Sequence, residues 1–144
     1  MRYPVNYVAE DAGGYTCYLP GLDGETGWVT QGETMEEARA MAQECLDSYL
    51  LSCADLGKEP EAPLAIEVGG ECVYASPRIA TAYAIRGLRK KAALSQVQAA
   101  KAIGVSQALY SKWEDPDKCN ATLETLDKIG KAFGCRLEVV FACG

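Results

Sequence analysis

The twenty residues from Leu94 to Trp113 constrain this chain more than any other stretch, because they specify two short helices and a tight turn between them. Ser95 can accept a hydrogen bond from a free amide of the first turn, which makes it an N-cap candidate. Small or apolar residues follow at Ala99, Ala100 and Ile103, and Gly104 supplies the left-handed residue that lets the chain turn. Ser106 is a second cap, opening a helix with Tyr110 and Trp113 three apart on one face. Two helices that cross steeply need a small side chain at their closest approach, and Ala100 provides it.

Cap, small residue, glycine turn and second cap together make a helix-turn-helix. The pattern resembles the phage-repressor (Cro and repressor) class over roughly residues 78–134, from the Leu94-Ser95-Gln96 lead-in to the Trp113-Glu114 exit. The resemblance implies that the second helix lies in the DNA major groove and that Gln96 braces a phosphate. It places Gln107, Ala108, Leu109, Ser111 and Lys112 toward the groove, with Val105, Tyr110 and Trp113 holding the core. Ser106 and Lys118 join the expected DNA contacts. Two departures stand out: Ala93 replaces a usual glycine, and Asp115-Pro116-Asp117 stands where a glycine-containing turn is commoner. Carboxylates near a phosphate path lower the expected affinity, or call for help from a partner.

Charge separates the chain into halves. Residues 1–77 carry three basic and fourteen acidic residues, a net −11, while residues 78–144 carry eleven basic and six acidic, a net +5. The basic half suits nucleic acid, and the acidic half suits a basic protein or plain solubility. At 144 residues and 49% hydrophobic content the chain can bury a core as one domain or two small ones. It has no apolar run long enough for a membrane span and no signal-peptide h-region, so a cytoplasmic protein without membrane association is expected. Seven cysteines without a CxxC pair, and no histidine, exclude the usual zinc spacings. Cys17, Cys45 and Cys53 read as small buried hydrophobes of a reducing compartment. No metal and no cofactor are expected.

Along the first half, Tyr3, Val5, Tyr7 and Ala9 alternate with other residues as in a strand, and Tyr15–Leu19 resumes the alternation after a turn at residues 10–14. Pro4 implies an edge strand or a strand beginning. Trp28-Val29-Thr30 is a third strand. Thr34-Met35-Glu36-Glu37 fits a capping box, and the helix behind it is apolar at Ala38, Ala42, Cys45, Leu46, Tyr49, Leu50 and Cys53. Leu64, Ile66 and Val68 alternate as a fourth strand that Gly69-Gly70 could turn back into Cys72-Val73-Tyr74.

Ser76-Pro77 marks a boundary, giving domains 1–75 and 76–144. The second opens with a helix from Arg78 to Lys91, apolar at Ile79, Ala82, Ile85 and Leu88. Thr122 caps a last helix with Leu123, Leu126, Ile129 and Phe133 on its buried side, and Gly134 stops it. Residues 136–141 alternate as a short strand with no partner in its own domain. Leu137, Val139 and Phe141 are therefore expected to pair with a second copy. The fold class is α+β, a three-strand, helix and strand unit followed by an all-α helix-turn-helix domain with a C-terminal dimerisation strand.

The front half supports a second resemblance. Tyr3-Pro4-Val5, Gly13-Gly14-Tyr15, Thr30-Gln31-Gly32-Glu33-Thr34 and Glu36-Glu37-Ala38 resemble the HicB antitoxin family, with a longer link from Pro20 to Gly27 as the departure. That resemblance implies a partial RNase H-like fold for residues 1–75 and a partner that is a small basic HicA-type messenger-RNA interferase, whose catalytic histidine the antitoxin covers. Candidate toxin contacts are Glu10, Asp11, Asp23, Glu25, Glu36, Glu44 and Asp47.

An RNase H-like nuclease would hold magnesium between carboxylates on adjacent strands, and the strands at residues 3–9 and 15–19 carry none. Without histidine the chain also lacks the commonest general base, so no catalytic residues are assigned. The alternative to an antitoxin is a stand-alone transcription regulator whose front half senses a ligand. In either case a homodimer, or a higher homo-oligomer, would read double-stranded operator DNA with two recognition helices about 34 Å apart. Arg89, Lys90, Lys101, Lys112 and Lys118 are the basic phosphate candidates, and Gln107 the adenine reader.

Overall fold

The computed structural model describes residues 1–24 and 27–143. Within them the chain divides into two units, Met1–Ala80 and Thr81–Gly144.

The first unit is a four-stranded antiparallel sheet with one long helix. The strands are β1 (Arg2–Ala9), β2 (Tyr15–Leu19), β3 (Trp28–Gly32) and β4 (Glu71–Tyr74), in the order β3-β2-β1-β4, and α1 spans Met35–Asp55. Alternation decides which face meets the helix. Tyr3 and Val5 of β1, Cys17 and Leu19 of β2 and Val73 of β4 are buried, and so are Ala38, Ala42, Leu46, Tyr49, Leu50 and Cys53 of α1. The Cys17 thiol donates to the Ala38 carbonyl at 3.4 Å, which puts the odd-numbered side of β2 against the helix. Burial pushes the Cys17 thiol up, as expected of a packed rather than a reactive cysteine. Cys45 is only half-buried.

Gly32 allows the close approach that joins β3 to α1. A Cβ there would stand 2.4 Å from the backbone nitrogen of Ala38. Thr34 caps α1 by accepting from the Glu37 amide at 3.1 Å, but the Glu37 carboxylate takes the Glu33 amide at 2.9 Å rather than that of Thr34. Half of the expected box is therefore displaced by one residue. The helix ends in a Schellman arrangement, with Gly57 at φ 64° and the Lys58 amide bonded to the Cys53 carbonyl at 2.8 Å.

One strand expectation holds locally and another is corrected. Pro4 lies in an inner strand, yet β2 pairs with β1 only from Asn6 to Ala9, so beside Pro4 only β4 is a neighbour. The strand is locally an edge there, which is what a missing amide requires. Residues 64–68 form no strand; β4 begins at Glu71 and takes the free side of β1. The alternation at Leu64, Ile66 and Val68 is not matched by pairing to any strand, and Val68 is fully exposed. The preceding stretch is fastened by phenols instead: Tyr3 Oη donates to the Glu61 carbonyl at 2.9 Å, and the Glu61 amide donates to Tyr49 Oη at 2.8 Å. In the link before β3, Leu22 is wholly buried, an anchor the turn-like sequence around it did not signal.

The second unit is helical. It contains most of α2 (Pro77–Lys91), then α3 (Gln96–Ile103), α4 (Gln107–Trp113) and α5 (Leu123–Ala132). Its core gathers Ala82, Ile85, Ala99, Ala100, Ile103, Tyr110, Trp113, Cys119 and Ile129, with Leu88, Val105, Leu126 and Phe133 packed against it. Leu123 departs from the expected buried stripe at 62% exposure, because it is the first residue of α5 and precedes the turns that meet the core. Gly134, at φ 70°, follows the helix end. Residues 135–143 carry no assigned helix or strand; Leu137 is half-buried, while Val139 and Phe141 are exposed.

Candidate nucleic-acid interface

The site is built on α3 and α4, and local chemistry fixes both ends of α3. Ser95 Oγ accepts the Gln98 amide at 3.1 Å while Gln98 Oε1 takes the Ser95 amide at 2.9 Å, a complete capping box of which the sequence reading found only the serine. At the other end Gly104 stands at φ 82°, and both its amide (2.9 Å) and that of Val105 (3.0 Å) reach back to the Ala100 carbonyl. Ser106 Oγ then accepts the Leu109 amide at 3.2 Å and starts α4.

The seven residues of α4 divide cleanly. Tyr110 and Trp113 are buried, their rings meeting edge to face at 6.1 Å and 74°. Gln107, Ala108, Leu109 and Lys112 are exposed on the opposite side, and Ser111 is half-buried. An amide side chain, a methyl, an isobutyl group and an ammonium are thus presented together on a short rigid element. These groups match what a major groove offers: Gln107 can pair with an adenine edge, and Ala108 and Leu109 can meet a thymine methyl.

Behind α4 lies a feature that sequence reasoning missed. Glu114 is buried, its side chain 3% exposed, and its carboxylate accepts four hydrogen bonds. Arg89 of α2 donates from Nε at 2.6 Å and from Nη2 at 3.0 Å, Tyr110 Oη at 2.7 Å, and Gln96 Nε2 of α3 at 3.1 Å. Arg89 also donates to the Leu94 carbonyl at 2.9 Å. Burial works to raise the Glu114 pKa, but the donors of Arg89, Tyr110 and Gln96 outweigh it and hold the carboxyl below its ordinary value. Burial, and then the bond to Glu114, push the Tyr110 phenol upward. The network ties α2, α3 and α4 together through one ionised group.

This arrangement changes the roles of two expected contacts. Arg89 is spent inside the network and is not a phosphate-facing cation. Gln96 has its amide nitrogen on Glu114, so any phosphate it meets must share or displace that bond. Lys101 and Lys112 remain exposed cations. Lys118 Nζ lies 3.4 Å from Asp115 Oδ2, a partly solvated pair that lowers its value as a phosphate contact. Asp115 also accepts the Asp117 amide at 2.9 Å on its side chain and the Cys119 amide at 2.8 Å on its carbonyl. Asp115 therefore organises the turn after α4 through both its side chain and its carbonyl. Ala93, ahead of α3, adopts φ 55°, the left-handed conformation that the usual glycine would adopt without strain.

Residues 85–140 match the family of helix-turn-helix domains. The chain carries such a domain, with α3 and α4 as its two helices, and domains of this family belong to DNA-binding transcription regulators. No curated protein matches the chain.

The acidic residues expected to meet a protein partner fall at scattered places in the first unit. Glu10 and Asp11 are exposed at the β1–β2 turn, and Glu10 accepts from the Thr16 hydroxyl at 2.6 Å. Asp23 is exposed, and Glu25 lies outside the described residues. Glu36 and Glu44 are exposed on α1. Asp47 is committed internally: it accepts the Ser76 amide at 2.9 Å and, on its other oxygen, the Ser76 hydroxyl. Among the described residues, no group of three or more His, Cys, Asp or Glu is placed to hold a metal ion, and no helix is long and apolar enough to cross a membrane.

Proposed function

We propose that this chain is an antitoxin of the HicB type, which neutralises a small basic HicA-type messenger-RNA interferase and represses its own operon through the helix-turn-helix domain. The observation that carries the proposal is the pairing of a DNA reader with a separate, strongly acidic α+β unit whose elements run β-β-β-α-β. The resemblance of Tyr3-Pro4-Val5, Gly13-Gly14-Tyr15 and Gln31-Gly32-Glu33-Thr34 to the antitoxin family supports the same reading.

DNA binding rests on Gln107, Ala108 and Leu109 for base readout and on Lys101 and Lys112 for phosphates. The small number of cations implies a shallow dependence on salt for each subunit. Two copies are needed to read a palindrome, and the exposed Val139 and Phe141, with Leu137, form the surface proposed to join them. Toxin bound to the acidic unit would neutralise a field that repels DNA and so would strengthen repression at low salt.

The test is co-expression with the product of the adjacent reading frame. The proposal expects a stable complex with a basic, histidine-containing protein, loss of its RNA cleavage, and a gel shift of the chain's own promoter. A promoter shift without any such protein partner would instead favour a stand-alone regulator.

A further inference from the structure

The strand register gives the sheet of the first unit two unlike faces. Odd-numbered positions of β1 and β2 meet α1, as the buried Tyr3, Val5, Cys17 and Leu19 show. On the other face Tyr18 stands opposite both Asn6 of β1 and Val29 of β3, while Thr16 stands opposite Val8 and Gln31. Tyr74 of β4, opposite Arg2, is open at 44% on this face, and three large apolar side chains are open beside one another: Val8 at 47%, Tyr18 at 38% and Val29 at 54% exposure. They are neighbours across three adjacent strands, so they form one patch. Isolated apolar residues on a surface need no explanation, but a contiguous group with an aromatic at its centre does.

Charge selects the occupant. Residues 1–77 carry a net −11, so a second copy laid on this face would bring like charge against like. Glu10 lies at the margin of the patch, its carboxylate bonded to Thr16 on the same face. An apolar centre with an acidic rim complements a basic protein that offers an apolar spot ringed by lysine and arginine. The outer side of α1 is the competing surface. Its exposed residues include Glu36 and Glu44, but among the described residues none of the exposed large hydrophobics lies in α1. Exposed charge alone steers an encounter without anchoring it.

We propose that the basic partner docks on the open face of the sheet, with Tyr18 and Val29 as the anchors and Glu10 at the rim, and not on the outer side of α1. This rests on the antitoxin reading above and specifies where the partner sits. The acids of α1 then act at a distance on the association rate, while the sheet face governs dissociation.

The probe is the basic protein from the adjacent reading frame, with the full chain and calorimetry at physiological salt. Tyr18→Ala and Val29→Ser, which leave the charge unchanged, are expected to weaken binding about tenfold each. Glu44→Gln is expected to change it less than about threefold. The reverse ranking overturns the proposal. Hydrogen exchange on the wild-type complex tests the same point without any substitution. The proposal expects slowing in β2 and β3, and slowing confined to α1 overturns it. If the wild-type chain forms no complex at all, the antitoxin reading fails, whereas a complex indifferent to Tyr18 and Val29 overturns only the docking face.

Discussion

The two units handle charge in opposite ways. Among the described residues the helical unit has one buried charged side chain, Glu114, and surrounds it with donors from three helices. Among the described residues the sheet unit has no fully buried carboxylate; its inner polar contacts include the Cys17 thiol and two phenols, with Tyr49 pushed up to about 12 by burial and so neutral at any ordinary pH. The difference follows from size and task. A small bundle must hold α4 at one angle to α3, and an ion pair with fixed hydrogen-bond directions supplies orientation that an apolar contact does not. The sheet has its geometry set by the strand ladder, so apart from the half-buried Asp47, which holds Ser76, the described acids named above lie on its surface.

Removing one side of the ion pair is the strongest way to break this contrast. Arg89→Met is expected to cost about 3–5 kcal/mol, because it leaves a buried carboxylate unpaired. Urea unfolding followed through Trp113 measures it, and the double replacement of Arg89 and Glu114 by Met is expected to recover most of the loss. Acid gives a second view of the same group. The Glu114 pKa is lowered by folding, so its contribution is present above the ordinary value of 4.5 and is lost as pH falls through the lower folded value. Glu114→Gln removes that acid-dependent loss.

The matching test in the sheet unit is Leu46→Ala, expected to cost about 3 kcal/mol as a cavity and to show no dependence on pH. Trp28, whose ring meets Tyr49 at 5.3 Å, reports on it. On the interface, Gln107→Ala is expected to weaken operator binding by about 1–3 kcal/mol and to relax preference at one base pair. Lys112→Ala acts uniformly across sequences and lowers the salt slope by about 1. The smallest effect is a gain: Ala93→Gly relieves a left-handed residue and is expected to stabilise the bundle by about 1 kcal/mol, read as a higher melting temperature.

What the sequence revealed was local. Ser95, Thr34, Ser106 and Thr122 were legible as caps because a cap and its amide lie three residues apart. Spacing alone put Tyr110 and Trp113 on one face of α4, while the outward placement of Gln107, Ala108 and Lys112 was what the phage-repressor resemblance implied. Tyr110 lies one helical turn from Glu114, but the rest of the network was not legible, because Gln96 and Arg89 lie 18 and 25 residues away and no periodicity links them. Nor was the fate of Leu64–Val68, since alternation describes one segment and a strand needs two. The sheet's open face needed the register, which no single strand contains.

Gly32 ends the five-residue strand β3 and Val29 is its second residue, and they have opposite freedom to vary. At Gly32 a single methyl group would run into the Ala38 backbone, whereas at Val29 any side chain can project into solvent. Over generations, a lineage exchanging one binding companion for another could rewrite the open end without disturbing the end that joins strand to helix.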